Sequence, residues 1–192
     1  MRSSKRVVAI LLTPRSEWPV IAREPADAAS LFLGYAAVLA AIPAVCLFLG
    51  VTMIGRSTSV GTLHVGLVSG LTGAALTYVL SFVFVFVATW IVAALAPTFA
   101  GRRSIGHARK LVVYSLTPAW LAGIFYLVPD FGSLFWLGVV YGSYLLWTGL
   151  PTLMRTPQNR APAYILAVAV SLVVLSGIAW FVLIRPLFRF LY

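Results

Sequence analysis

The side chains best equipped for chemistry in this chain are hydroxyls and cations, and they gather in one stretch. Residues 101–110, Gly-Arg-Arg-Ser-Ile-Gly-His-Ala-Arg-Lys, are strongly basic. Residues 111–118, Leu-Val-Val-Tyr-Ser-Leu-Thr-Pro, are an apolar run with polar groups and a proline set inside it. Arg102, Arg103, Arg109 and Lys110 suit contact with anionic lipid head groups or an acidic partner. Tyr114, Ser115, Thr117 and Pro118 form a candidate polar kink site within the membrane, because a proline frees carbonyls that hydroxyls must then satisfy. Ser104 and His107 are three apart, yet no oriented acid accompanies them as a nucleophile and base would need. No glycine-rich phosphate loop with a lysine, no HExxH and no CxxC occurs. His64 and His107 are expected on opposite sides of a membrane, so they cannot share a metal. We therefore assign no catalytic, metal or cofactor-binding residue and read the chain as non-enzymatic.

The elements that hold this stretch are hydrophobic. Of 192 residues, 61% are hydrophobic and only 9% charged, against about 25% charged in a soluble domain. Too little polar material is present to cover a water-facing surface. The expected fold is an all-α integral membrane protein, a bundle of five transmembrane helices with a short interfacial N-terminal helix. The net charge of +10 sits in loops and tails between apolar runs, so it points to topology and lipid contact rather than to nucleic acid. The single cysteine, Cys46, lies within an apolar run and reads as a small buried residue.

The expected organisation has three parts. Residues 1–28 form a cytoplasmic or interfacial N-terminal segment, broken by Pro14, Pro19 and Pro25, with Trp18 at head-group depth. Residues 29–185 form the five-helix domain, with spans at about 30–54, 66–95, 111–128, 133–154 and 162–184. Residues 186–192 form a short interfacial tail. Asp27 is placed to cap the first span. Pro43 suggests a kink in that span, and Ala36, Ala40 and Ala44 offer a small-residue stripe. Gly66 and Gly70 in span two, and Gly138 and Gly142 in span four, are GxxxG packing pairs. Thr77 and Ser81 continue the small polar stripe of span two and are expected to face the kink of span three. Residues 55–65 and 129–132 are expected as a polar loop and a tight turn.

Five spans put the termini on opposite sides. Eleven cations (Arg2, Lys5, Arg6, Arg15, Arg23, Arg102, Arg103, Arg109, Lys110, Arg155, Arg160) then share the side of the N-terminus, against three (Arg56, Arg185, Arg189) on the other. Excess Lys and Arg marks the cytoplasmic side, so the N-terminus is expected in the cytoplasm and the C-terminus outside.

Three stretches carry a family resemblance: Thr13-Pro14-Arg15-Ser16-Glu17-Trp18-Pro19-Val20-Ile21; 95–101 leading into Ala108–Gly123; and 144–157, which ends Leu150-Pro151-Thr152-Leu153-Met154-Arg155-Thr156-Pro157. Together the chain resembles the bacterial branch of the Yip1-domain family of small five-span membrane proteins. The resemblance implies an inner-membrane, multi-pass protein with a cytoplasmic N-terminus. Eukaryotic relatives associate with Rab-type GTPases, a role that does not carry over to bacteria.

Two functions follow as expectations. The first is a scaffold or partner-binding protein, joined through its GxxxG seams to a second copy or another membrane protein and touching anionic lipid on its basic face. The alternative is a channel, transporter or lipid-moving protein that uses the polar third span.

Overall fold

A computed structural model of the chain describes residues 2–25, 27–58 and 61–179. It is helical apart from one small hairpin. The helices are α1 (Arg2–Leu12), α2 (Pro14–Arg23), α3 (Ala28–Leu31), α4 (Ala37–Leu49), α5 (Leu67–Leu95), α6 (Ile105–Ser115), α7 (Thr117–Ala122), α8 (Phe135–Leu153) and α9 (Ala161–Ala179). Wider π turns at Phe32–Ala36 and Gly50–Ile54 extend α3 and α4 into one long rod. Narrow 3-10 turns follow α5 and α7 and precede α8.

Four of these segments are long and apolar enough to cross a membrane: Ala29–Ile54, Leu67–Phe99, Ile105–Leu127 and Pro129–Leu153. The fifth expected span corresponds to α9, whose apolar stretch is shorter. The rest of that span, and the tail at 186–192, lie outside the described residues. Large apolar side chains such as Leu33, Val68, Leu71, Val140 and Val173 stay exposed. That pattern is costly in water and favourable in hydrocarbon.

Pro43 and Pro118 both act as packing surfaces. A Cβ on Gly123 would lie 2.5 Å from the Pro43 Cβ, so glycine lets span three close on span one. Asp27 caps α3 as expected, its carboxylate accepting from the N–H groups of Ala29 (3.1 Å) and Ser30 (3.3 Å).

Three expectations are corrected. The N-terminal segment holds two helices rather than one, because Pro14 opens α2 at its first turn. Trp18, expected at head-group depth against lipid, packs into the protein instead, and with Ile10 and Ile21 it is fully buried. The loop at 55–65 forms an antiparallel hairpin, β1 (Arg56–Thr58) on β2 (Gly61–Leu63).

The connections gather at two ends. The β-hairpin packs on the turn Pro129–Leu134. At the other end of the 29-residue α5, the backbone N–H of Arg102 donates to the Met154 carbonyl at 2.7 Å, and Lys110 bonds to the end of α2. The α1–α2 pair, residues 96–104 and residues 154–160 therefore share one end.

Candidate functional site

Span three begins earlier than hydropathy suggested. Ser104 is the N-cap of α6: its Oγ accepts from the His107 N–H at 3.4 Å and lies 2.9 Å from the His107 Nδ1. Arg109 and Lys110 are thus helical residues and not part of the loop. Arg102 and Arg103 remain exposed in the loop.

Lys110 is directed into the protein. Its side chain is buried, and Nζ donates to the carbonyls of Ile21 (2.8 Å) and Glu24 (2.6 Å). Those carbonyls lie at the C-terminal end of α2, where helix carbonyls lack partners and the dipole favours a cation. Lys110 locks the N-terminal pair of helices to span three. Arg6 holds the pair together from within, bridging the carboxylates of Glu17 and Glu24.

Beneath Lys110 lies an aromatic stack. Tyr114 meets Trp18 edge-on at 6.5 Å and Tyr35 edge-on at 4.9 Å between ring centroids. The Trp18 indole N–H donates to Thr148 Oγ1 at 3.0 Å. Gly149 makes room for it, since a Cβ there would sit 2.7 Å from the Trp18 Cε2. The Tyr35 and Thr117 hydroxyls lie 2.8 Å apart and are buried.

The backbone breaks at Leu116, two residues before Pro118, and restarts as α7 with Pro118 in its first turn. The break faces α8. A Cβ on Gly142 would lie 2.5 Å from the Ser115 carbonyl oxygen, and one on Gly138 would lie 2.6 Å from the Ala122 Cβ and on top of the Pro118 carbonyl. The second GxxxG pair is therefore the surface on which the kink rests. Close approach places glycine Cα–H groups against the Ser115 and Pro118 carbonyls. The Ser115 Oγ is buried without a hydrogen-bond partner.

The first GxxxG pair behaves differently. Gly70 is closed over by the Thr52 methyl, with the Phe48 ring beside it at 3.5 Å from an added Cβ, whereas Gly66 and Gly73 face open space. Thr77 and Ser81 do not join the kink site. Their hydroxyls donate to the carbonyls of Gly73 (2.8 Å) and Thr77 (3.0 Å) in their own helix. Sequence reasoning missed Tyr35, Arg6, Glu17 and Glu24. The two acids lie seven apart, one on either side of Pro19, in a chain with only four acids, and that scarcity was the available signal.

Among the described residues no three His, Cys, Asp or Glu side chains gather as a metal site requires. Asp27, outside the spans, has its carboxyl held below the ordinary range, mainly by its hydrogen bond with the Ser30 side chain and then by the backbone N–H groups of Ala29 and Ser30.

Two curated relatives, the "Inner membrane protein YohC" of Escherichia coli strain K12 and that of strain O6:H1, are each 29% identical over 159 residues, covering 79% of this chain and 80% of the relative. No solved structure matches. The Yip1 domain model matches residues 8–181, from within α1 through α9. The match takes in the N-terminal pair, the kinked third span and the glycine seam of the fourth, and the chain belongs to the Yip1-domain family.

Proposed function

We propose that this protein is a non-enzymatic scaffold or partner-binding protein of the bacterial inner membrane, a five-span bundle with α9 continuing into the fifth span. The observation that carries the reading is the seam between α7 and α8. Pro118 and Ser115 rest on Gly138 and Gly142 with no room for a Cβ, so the polar kink serves packing rather than a path. The open glycines Gly66, which caps α5, and Gly73 within it offer a second helix a close approach. The family's curated relatives carry the name inner membrane protein. The gathering of the N-terminal pair, residues 96–104, the start of α6 and residues 154–160 at one end supports a cytoplasmic N-terminus, because those stretches carry eleven of the fourteen cations. Arg102, Arg103 and Arg109 are the cations that reach anionic lipid or an acidic partner from that end.

The test is crosslinking in native membranes beside flux in liposomes. A self-crosslink or partner crosslink through α5, with flux no greater than in empty liposomes, supports the scaffold. A monomer with no crosslinked partner sinks it. One observation favours transport instead, the buried and unpartnered Ser115 hydroxyl. Flux that Ser115→Ala abolishes would establish that alternative.

A further inference from the structure

A cleft of ≈ 270 Å³ opens where the π turn Phe32–Ala36, α5 and α6 meet, lined by Phe32, Phe86, Thr89, Trp90, Ile105 and Arg109. Phe86 and Trp90 are one turn apart on α5, and Ile105 and Arg109 one turn apart on α6, so each pair shares a helix face. The protein leaves these walls uncovered: Phe86 is 62%, Trp90 47% and Ile105 40% exposed. The Thr89 hydroxyl donates to the Val85 carbonyl at 2.7 Å and gives the cleft no free polar group. Two polar groups remain, the Arg109 guanidinium and the Trp90 indole N–H. Among the described residues neither has a hydrogen-bond acceptor, and Arg109 has no ion pair. The Arg109 guanidinium carbon sits 5.9 Å from the Phe32 ring centroid. That stack orients the planar group and leaves its N–H donors unsatisfied.

The chain's own acids cannot fill the gap. Glu17 and Glu24 are taken by Arg6, Asp27 caps α3, and Asp130 lies in the turn at the opposite end. An apolar slot whose lining includes an orphan cation and a tryptophan with an unpaired indole N–H matches a molecule with an anionic head and a hydrocarbon tail. No carboxylate lines the cleft to receive a choline or ethanolamine ammonium. We propose that the cleft binds one anionic phospholipid, its phosphate on Arg109, a glycerol ester carbonyl on the Trp90 indole N–H and an acyl chain along Phe32, Phe86 and Ile105. The proposal rests on the reading that the basic end lies at the head-group surface.

The test uses the full chain in nanodiscs of equal phosphatidylglycerol and phosphatidylcholine, with retained lipid counted by native mass spectrometry. Wild type should keep one phosphatidylglycerol, enriched about tenfold over phosphatidylcholine, the scale of one charge-assisted contact. Arg109→Gln should abolish that preference. Arg56→Gln, on the hairpin at the opposite end, should keep it. If R109Q keeps the retained lipid and the double variant R102Q/R103Q loses it, the basic end attracts anionic lipid through its loop and the cleft assignment is wrong. If wild type shows no preference, both the cleft and the head-group reading fail. A second measurement needs no variant: phosphatidylglycerol carrying a photoreactive acyl chain should label the peptide bearing Phe86 and Trp90. Label spread evenly over the exposed face of α9 around Val170 and Val173 overturns the site.

Discussion

The indole N–H of Trp18 donates to the hydroxyl of Thr148 at 3.0 Å, across 130 positions of sequence. The bond fixes the N-terminal pair of helices onto α8, and the ring that makes it is wholly buried beside Gly149. Trp18→Ala should lower stability by about 3–5 kcal/mol, the range for emptying a buried aromatic site. Trp18→Phe and Thr148→Val should each cost about 1 kcal/mol, and the double variant less than their sum, because both remove one hydrogen bond. Unfolding in detergent by sodium dodecyl sulfate titration, read by far-ultraviolet circular dichroism, measures all four. Strict additivity would show that the bond contributes nothing.

Lys110 closes the same joint from the other side. Lys110→Met keeps the aliphatic stem and removes the donor, leaving the Ile21 and Glu24 carbonyls unpaired. A loss of about 1.5–3 kcal/mol is expected, as for hydrogen bonds to a charged group. The pair α1–α2 should loosen before the bundle does, so limited trypsin cleavage at Arg15 and Arg23 should accelerate while the span peptides stay protected. Unchanged cleavage would remove the capping role.

The glycine seam makes opposite predictions for residues of one type. Gly142→Ala drives a methyl group into the Ser115 carbonyl and should cost about 1–3 kcal/mol through overpacking. Gly73→Ala meets nothing within 4 Å and should be neutral or stabilising by up to about 1 kcal/mol through helix propensity. If Gly73 instead seats a second copy, Gly73→Ala weakens the crosslinked dimer and leaves monomer unfolding unchanged.

Asp27 gives the chain a pH dependence with a definite sign. Its folded carboxyl titrates below the ordinary value, so the charged cap stabilises fully above that value and the benefit fades as pH falls through the lower, folded one. Wild type should lose thermal stability relative to Asp27→Asn as the pH is taken below about 4. Parallel curves for the two proteins down to pH 3 would contradict the assignment.

Four spans were legible because hydropathy is a local property of each segment, and the break at Pro118 because proline announces itself. Asp27 was legible as a cap by its type and position. The start of α6 was within reach, since Ser104 lies three residues before His107, the spacing at which a cap meets its N–H. Partnership was not legible. Two GxxxG pairs look alike on paper, yet Gly138 and Gly142 receive the kink while Gly66 faces open space. Trp18 carries an amphipathic ring that suits an interface equally well; only Thr148, far along the chain, turns it inward. Lys110 counts as a loop cation in any charge tally, because the carbonyls that bury it belong to α2.

The Trp18 bond also has a consequence in time. At a synthesis rate of about 5–20 residues per second, the 130 positions between Trp18 and Thr148 take on the order of ten seconds to make. During that interval α1 and α2 exist without the helix they dock on. Their docking is thus a late event in biogenesis, and the N-terminal pair acts as a latch that can close only once the fourth span has been delivered to the membrane.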